Sequence, residues 1–288
     1  MKFDTKFGNY IKCSNNTSKI LKKILLIVAI IYFLTFIIYI TENKVIFLFN
    51  TSIICIVNLL LELFYRKMIR TNTSILHILG NSYVLIYSFL ISLLTPINIP
   101  LSVLIIINIF SYILLKIIDK FLKIKINYIC FVLFLSILYL NINNININTY
   151  SYLTMNVFLM LMMIIIIAFL TINDCLKWRI AISYFITLLV ITSVYSLFFN
   201  INFFTSINFI FSFYNMIIGT FVIVDMKTTS VIPFSQIIYG IFLAIFMFIS
   251  IEFLNYYRFY IFVLIFNVVN TIIDNICIYV KNKNSVLI

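Results

Sequence analysis

Apolar runs of membrane-crossing character alternate with short polar breaks along nearly the whole chain. Ten runs cover residues 24–41, 45–64, 82–94, 99–118, 126–142, 152–171, 178–199, 208–224, 233–251 and 259–280. Inside them hydrophobic residues follow one another continuously, as in "ILLIVAIIYFLTFIIYI" and "FLMLMMIIIIAFL", whereas a barrel strand alternates over about ten residues. Helices are therefore predicted. A helix satisfies its own backbone polar groups and needs only about 20 apolar residues to cross about 30 Å of hydrocarbon. The run at 82–94 is short: at 1.5 Å per residue it reaches only about 20 Å.

The starts of the first five runs and of the last five differ by 126 to 134 residues, a nearly constant offset. Five crossings per half reverse the second half against the first. The expected fold is thus all-α and integral to a membrane, with ten transmembrane helices in two inverted five-helix repeats. This divides the chain into a basic N-terminal segment (1–23), a first repeat (24–142), an external loop (143–151), a second repeat (152–280) and a tail (281–288). The third run of each half leads into an irregular polar break, "TPINIP" in one and "DMKTTSVIP" in the other. Short or proline-interrupted segments at matching positions of two halves are the usual pointer to a site inside the bundle.

Composition agrees with this reading. Hydrophobic residues make up 64% of the 288 and charged ones 10%, against about a quarter charged in a soluble domain. The net charge of +12 is a topology signal: 18 of the 20 basic residues fall in alternate connections and the two termini, leaving only Lys44 and Arg258 on the other side. Both termini are expected to be cytoplasmic in a multi-pass cell (inner) membrane protein, with the lipid bilayer, not nucleic acid, as the partner of the charge. The first 23 residues are polar and no small-residue cleavage site follows the first run, so that run is expected to stay as an anchor.

Candidate chemistry is sparse. The five cysteines contain no CxxC pair and His77 is the only histidine, so no metal site is expected. No phosphate-cradling glycine motif occurs among the four glycines, and no catalytic residue is assigned. Glu62 and Asp274 lie several residues inside the cytoplasmic ends of their runs and read as end charges reaching for the interface. Asn58, Asn108, Asn156, Asn267 and Asn270 lie within runs and read as helix-to-helix hydrogen bonds or contacts to a polar ligand.

One stretch carries more. "GTFVIVDMKTTSVIPFSQIIYGI" resembles, without a gap, a family pattern of glycine and small or aromatic residues, then T-D-P-V-T-S-P, then a P-x-G-Q-like turn and a span opening with I-x-G; the matches are Gly219, Asp225, Thr228, Pro233, Gln236 and Gly240. Downstream, "FVLIFNVVNTIID" is similar to the family's A-I-L-L-x-N-x-x-x-P-L-I-D at Asn267, Ile273 and Asp274. Upstream, "CLKWRI" is similar to its W-R-I block at Trp178, Arg179 and Ile180, and "NSYVLIYSFLISLLTPINIP" to its third span at Ser82, Leu90, Leu93, Pro96 and Pro100. These blocks resemble the RnfD/NqrB family, whose members are membrane components of the Rnf electron-transport complex and of the related sodium-pumping NADH:quinone reductase.

The resemblance implies an integral component of an ion-translocating ferredoxin:NAD oxidoreductase, inactive alone and working with the other subunits of an Rnf-like complex. It implies FMN or riboflavin as cofactor, with Asp225, Thr228, Thr229 and Asn267 as candidate flavin-site residues. The family's S-G-A-T-like flavin-attachment motif is absent, which leaves Thr149 in "NTYS" as the candidate attachment threonine. The glycine- and asparagine-rich motif of the fourth and fifth spans is also replaced, by "IIDKFLKIKINYICF". Two alternatives stay open: a flavin-free scaffold component of such a complex, and a channel or transporter for a small neutral solute with the urea-channel-like architecture that the family shares.

Overall fold

The computed structural model describes residues 17–41, 46–69, 83–96, 98–122, 125–145, 157–199, 210, 212–252 and 259–285. Regular structure among them is helical throughout, and each predicted run contains one helix. In chain order these are α1 (Thr17–Thr41), α2 (Ile46–Met68), α3 (Val84–Leu94), α4 (Leu101–Leu122), α5 (Tyr128–Ile142), α6 (Val157–Ile172), α7 (Trp178–Phe199), α8 (Phe213–Ile217), α9 (Pro233–Glu252) and α10 (Phe259–Ser285). A π-helical turn over Ile218–Val222 extends α8. Segments in α4, α7, α9 and α10 are long and apolar enough to cross a bilayer; α3, α5, the α8 stretch and the described part of α6 are shorter apolar helices.

Local chemistry sets the helix ends. The Asn127 side chain accepts from Cys130 N to cap α5, and that of Ser212 accepts from Asn215 N to cap α8. Pro233 opens α9, where its missing N–H costs nothing. Thr95 precedes Pro96 and has extended backbone, which stops α3. The ends of α5 and α6 are alike: Asn144 and Asp174 adopt positive φ (51° and 54°), and the next residue's N–H returns to a carbonyl five back. Those bonds, Ile145 to Leu140 at 3.0 Å and Cys175 to Leu170 at 2.9 Å, close a Schellman-type cap without glycine.

Within the first half, α3 packs on α1, α2 and α5, while α4 packs on α2 and α5. Within the second, α8 with its π turn packs on α6 and α7, while α9 packs on α7 and α10; α5 and α10 meet between the halves. The two shortest spans lie at the centre. Tyr87, near the start of α3, reaches Asp225 beyond the end of the α8 stretch, and Tyr214, near the start of α8, reaches the Leu94 carbonyl at the end of α3. The two therefore run antiparallel side by side. Every residue from Ser212 to Asp225 is buried, as is the end of α3 from Leu90 to Thr95. The longer helices keep an apolar outer stripe, such as Ile106, Phe110, Ile113 and Ile117 on α4, suited to lipid.

Glycine sets the closest approach in the second half. A Cβ at Gly240 would stand 2.0 Å from Ser183 Oγ and 2.7 Å from the Ile180 carbonyl, so α9 crosses α7 backbone to backbone. A Cβ at Gly219 would stand 2.6 Å from the Phe185 ring. Replacing Gly240 by Leu forces α9 off α7 and is expected to cost about 1–3 kcal/mol or more. Thermal unfolding of the purified protein in detergent checks this: Gly240→Leu should melt well below wild type and Gly240→Ala in between, and equal melting temperatures would refute the backbone contact.

Candidate functional site

The polar break after α8 is a buried turn in which the backbone itself is the main acceptor. The Asp225 carbonyl takes Thr229 Oγ1 at 2.7 Å and the amides of Thr228 and Thr229 at 3.3 and 3.2 Å. The Asp225 carboxylate accepts from Thr228 Oγ1 at 3.1 Å, Lys227 N at 3.5 Å and Tyr87 OH at 3.3 Å. Burial pushes its pKa up, and the Lys227 charge, the Thr228 hydroxyl and the Lys177 charge oppose that shift.

Two other helices clamp the same turn. Lys177, at the entry to α7, is only 7% exposed. Its ammonium donates to Thr229 Oγ1 at 2.7 Å and to the carbonyls of Thr229, Ser230 and Met226 at 3.0, 3.1 and 3.4 Å. Carbonyls that would otherwise be bare in a dry interior thus share one donor group. From α10, Asp274 accepts from Ser230 Oγ and from Val231 N, while Asn270 donates to the Thr228 carbonyl at 3.3 Å.

Beside the turn a cleft of about 430 Å³ opens among α2, α3, α4 and the start of α5. Its floor is a network of uncharged polar groups. Asn58 donates to Ser88 Oγ at 2.9 Å and accepts from Asn108 at 2.7 Å, and Tyr128 OH donates to the side-chain oxygens of both asparagines. Tyr83 and Tyr87 stack at 5.4 Å along one wall, and Tyr112 meets Tyr128 edge-on at 6.4 Å across another. Charged residues at the cleft are Glu62, Arg66, Lys116, Asp119, Lys125 and Lys227, an excess of positive charge. Glu62 accepts from Arg66 Nε at 2.8 Å and from Tyr112 OH at 2.7 Å, and Lys116 Nζ stands 3.8 Å from it.

The residues carried over from the family pattern divide between these surroundings. Asp225, Thr228 and Thr229 meet in the one turn, and Thr228 alone of them lines the cleft. Asn267 lies one helical turn before Asn270, toward the start of α10. Its Oδ1 accepts from Tyr239 OH at 3.3 Å, and among the described residues its Nδ2 has no partner. Thr149 and His77 lie outside the described residues. Glu62 and Asp274 do not behave as end charges stretched toward water; each is held by protein donors. Asn58 and Asn108 do bond across helices.

Sequence reasoning missed the tyrosines and Lys177. The available signals were the i, i+4 spacing of Tyr83 and Tyr87 at the start of the shortest run, and a lysine immediately before an apolar helix. No protein-family model matches the chain, and no similar sequence is found among curated proteins.

Lys177 gives the turn a pH dependence. Burial lowers its pKa from the ordinary 10.5 to about 8, against the raising effect of Asp225 and Asp274. The native state therefore releases this proton before the unfolded state does. Its contribution to stability is flat below about pH 8, rises between about 8 and 10.5, and is flat above. Lys177→Met removes the donor from four oxygens and is expected to destabilise by about 1–3 kcal/mol. Melting curves across that window should show the gap between wild type and Lys177→Met widening as pH rises; a pH-independent gap would count against the burial of this ammonium.

Proposed function

We propose that the chain is an RnfD-like integral membrane component of an Rnf-type ion-translocating ferredoxin:NAD oxidoreductase complex, supporting flavin-mediated electron transfer coupled to cation transport. The observation that carries this reading is the use made of the resembling block. Gly219 and Gly240 are the close-approach points of the α8 stretch and α9 against α7. Asp225 and Thr228 bond each other within the turn, and Gln236 donates to the carbonyls of Ser230 and Val231 at 3.3 and 3.4 Å. The matched positions thus either shape the turn or seat the helices on both sides of it against α7.

The packing pattern supports the inverted-repeat reading. The pairs α1–α3, α2–α3, α2–α4 and α4–α5 have counterparts in α6–α8, α7–α8, α7–α9 and α9–α10, and α5–α10 is its own counterpart. The antiparallel course of α3 and the α8 stretch is what a two-fold axis in the membrane plane requires. The excess of basic residues on one side supports a cytoplasmic position for the end bearing the turn and the cleft.

For the flavin, the interior of the turn is a poor seat, because the polar atoms of Asp225 and Thr229 already bond protein groups. The cleft fits better: Tyr83, Tyr87 and Tyr112 offer ring faces to a flat heterocycle, Thr228 offers a hydroxyl, and Lys116 and Lys227 offer positive charge. A bound flavin would supply the electron-carrying chemistry, and the protein a dry, oriented setting. The tyrosine rings would flank the bound ring system, and the asparagine network would meet its inner edge.

Gentle purification from native membranes tests the assignment. Further subunits of an electron-transport complex should co-purify with the chain, and the preparation should show flavin absorbance that denaturation releases. Purification alone and without flavin, together with uptake of a small neutral solute by proteoliposomes, would overturn it in favour of the channel reading.

A further inference from the structure

Two ammonium groups stand at the cleft, each over a tyrosine ring. Lys227 Nζ lies 3.9 Å above the Tyr83 ring and 5.6 Å from the Tyr87 ring. Lys116 Nζ lies 4.0 Å from the Tyr65 ring and 5.3 Å from the Tyr112 ring. An ammonium over a ring face is held by the ring's electrostatics while its N–H groups stay open to solvent and to an incoming acceptor; Lys227 is exposed and the Lys116 side chain is 33% exposed. Among the described residues neither ammonium hydrogen-bonds an oxygen. Glu62 is already taken by Arg66 and Tyr112, and its 3.8 Å separation from Lys116 is too long for a hydrogen bond.

The two lysines reach the cleft from different elements, Lys116 from α4 and Lys227 from the turn after α8. Between and below them the walls are tyrosine rings. Along α2 the cleft runs from Arg66 down to Asn58, roughly 12 Å at 1.5 Å per residue. At about 430 Å³ it has the size of a small-molecule site. Positive charge in excess at the mouth, two solvent-accessible ammonium groups beside it and an aromatic shaft behind make a specific combination. It suits a ligand with a multiply charged oxyanion at one end and an apolar or flat body at the other.

We propose that this cleft binds a phosphate-monoester amphiphile, with Lys116 and Lys227 leaving their tyrosine faces to hold the phosphate and the ligand body lying along Tyr83, Tyr87 and Tyr112. Two sources share this chemistry: phosphatidic acid, the anionic lipid whose headgroup is itself a phosphate monoester, and a soluble aromatic phosphate. The soluble source rests on the flavin reading above and the lipid source does not, so binding of phosphatidic acid by a chain that purifies alone and without flavin would keep this proposal while that reading failed.

Binding to the purified full chain in detergent micelles tests it, with four probes: a short-chain phosphatidic acid, FMN, riboflavin and inorganic phosphate. A phosphate-bearing amphiphile should raise the melting temperature, and riboflavin should bind at least about tenfold more weakly than FMN if the soluble source is right. Preference for phosphatidic acid assigns the lipid source, and preference for FMN the soluble one. Lys116→Gln and Lys227→Gln should each weaken the preferred ligand at least about tenfold, and Lys227→Arg should restore most of the loss. Ligand-free melting temperatures equal to wild type show that the variants fold. The proposal falls if neither phosphatidic acid nor FMN binds more tightly than inorganic phosphate, or if both Gln variants bind like wild type.

Discussion

A peptide group in a dry interior must find a partner, and the centre of this molecule is organised around that requirement. Two half-length helices, α3 and α8 with its π turn, lie antiparallel in the middle of the bundle. A helix that stops inside the protein leaves carbonyls open at its C-terminal end. Beyond the α8 stretch, Lys177 supplies one ammonium to four oxygens, and Asp274 and Asn270 collect further groups of the turn. At the end of α3 the need is smaller: Thr95 N returns to Ile91 and Tyr214 OH reaches the Leu94 carbonyl. A lysine suits the larger task because its three N–H groups rotate freely, where a planar guanidinium would impose its own geometry.

The two halves fill their central volume differently. In the second, Gly219 and Gly240 let α8 and α9 close on α7, and Tyr184 and Tyr239 are fully buried between them. In the first, the described helices contain no glycine. Tyrosines stand where close packing would otherwise occur, and the space between their rings is the cleft. The described helices thus meet at glycines in one half and around a tyrosine-walled cleft in the other.

Much of this was legible in the sequence, and for physical reasons. The helices follow from apolar runs too long and too continuous for strands, whereas the capping roles of Asn127 and Ser212 emerge only in the structure. The short third run and the break at "DMKTTSVIP" mark the two central helices. Gly219 and Gly240 were visible as pattern matches, but the reason for glycine appears only when α7 is seen against them. The cleft was not legible. In a chain with 19 tyrosines, a tyrosine that lines a cavity and one that fills a core look alike. Lys177 was hidden by the same rule that made topology readable, since a basic residue at a helix end is expected there whether it meets headgroups or carbonyls.

The turn and the cleft share residues, which ties the halves together. Tyr87 belongs to the cleft wall and donates to Asp225; Thr228 lines the cleft and donates to the same carboxylate; Lys227 covers Tyr83 while its backbone amide faces Asp225. Anything that moves the Tyr83 and Tyr87 rings therefore changes the donors available to a buried carboxylate. That carboxylate sits in a turn whose other side is fixed by Lys177 from α7 and Asp274 from α10. A ligand bound in the cleft would therefore act on the same small set of hydrogen bonds as the helix arrangement of the second half, which is the physical requirement for coupling between them.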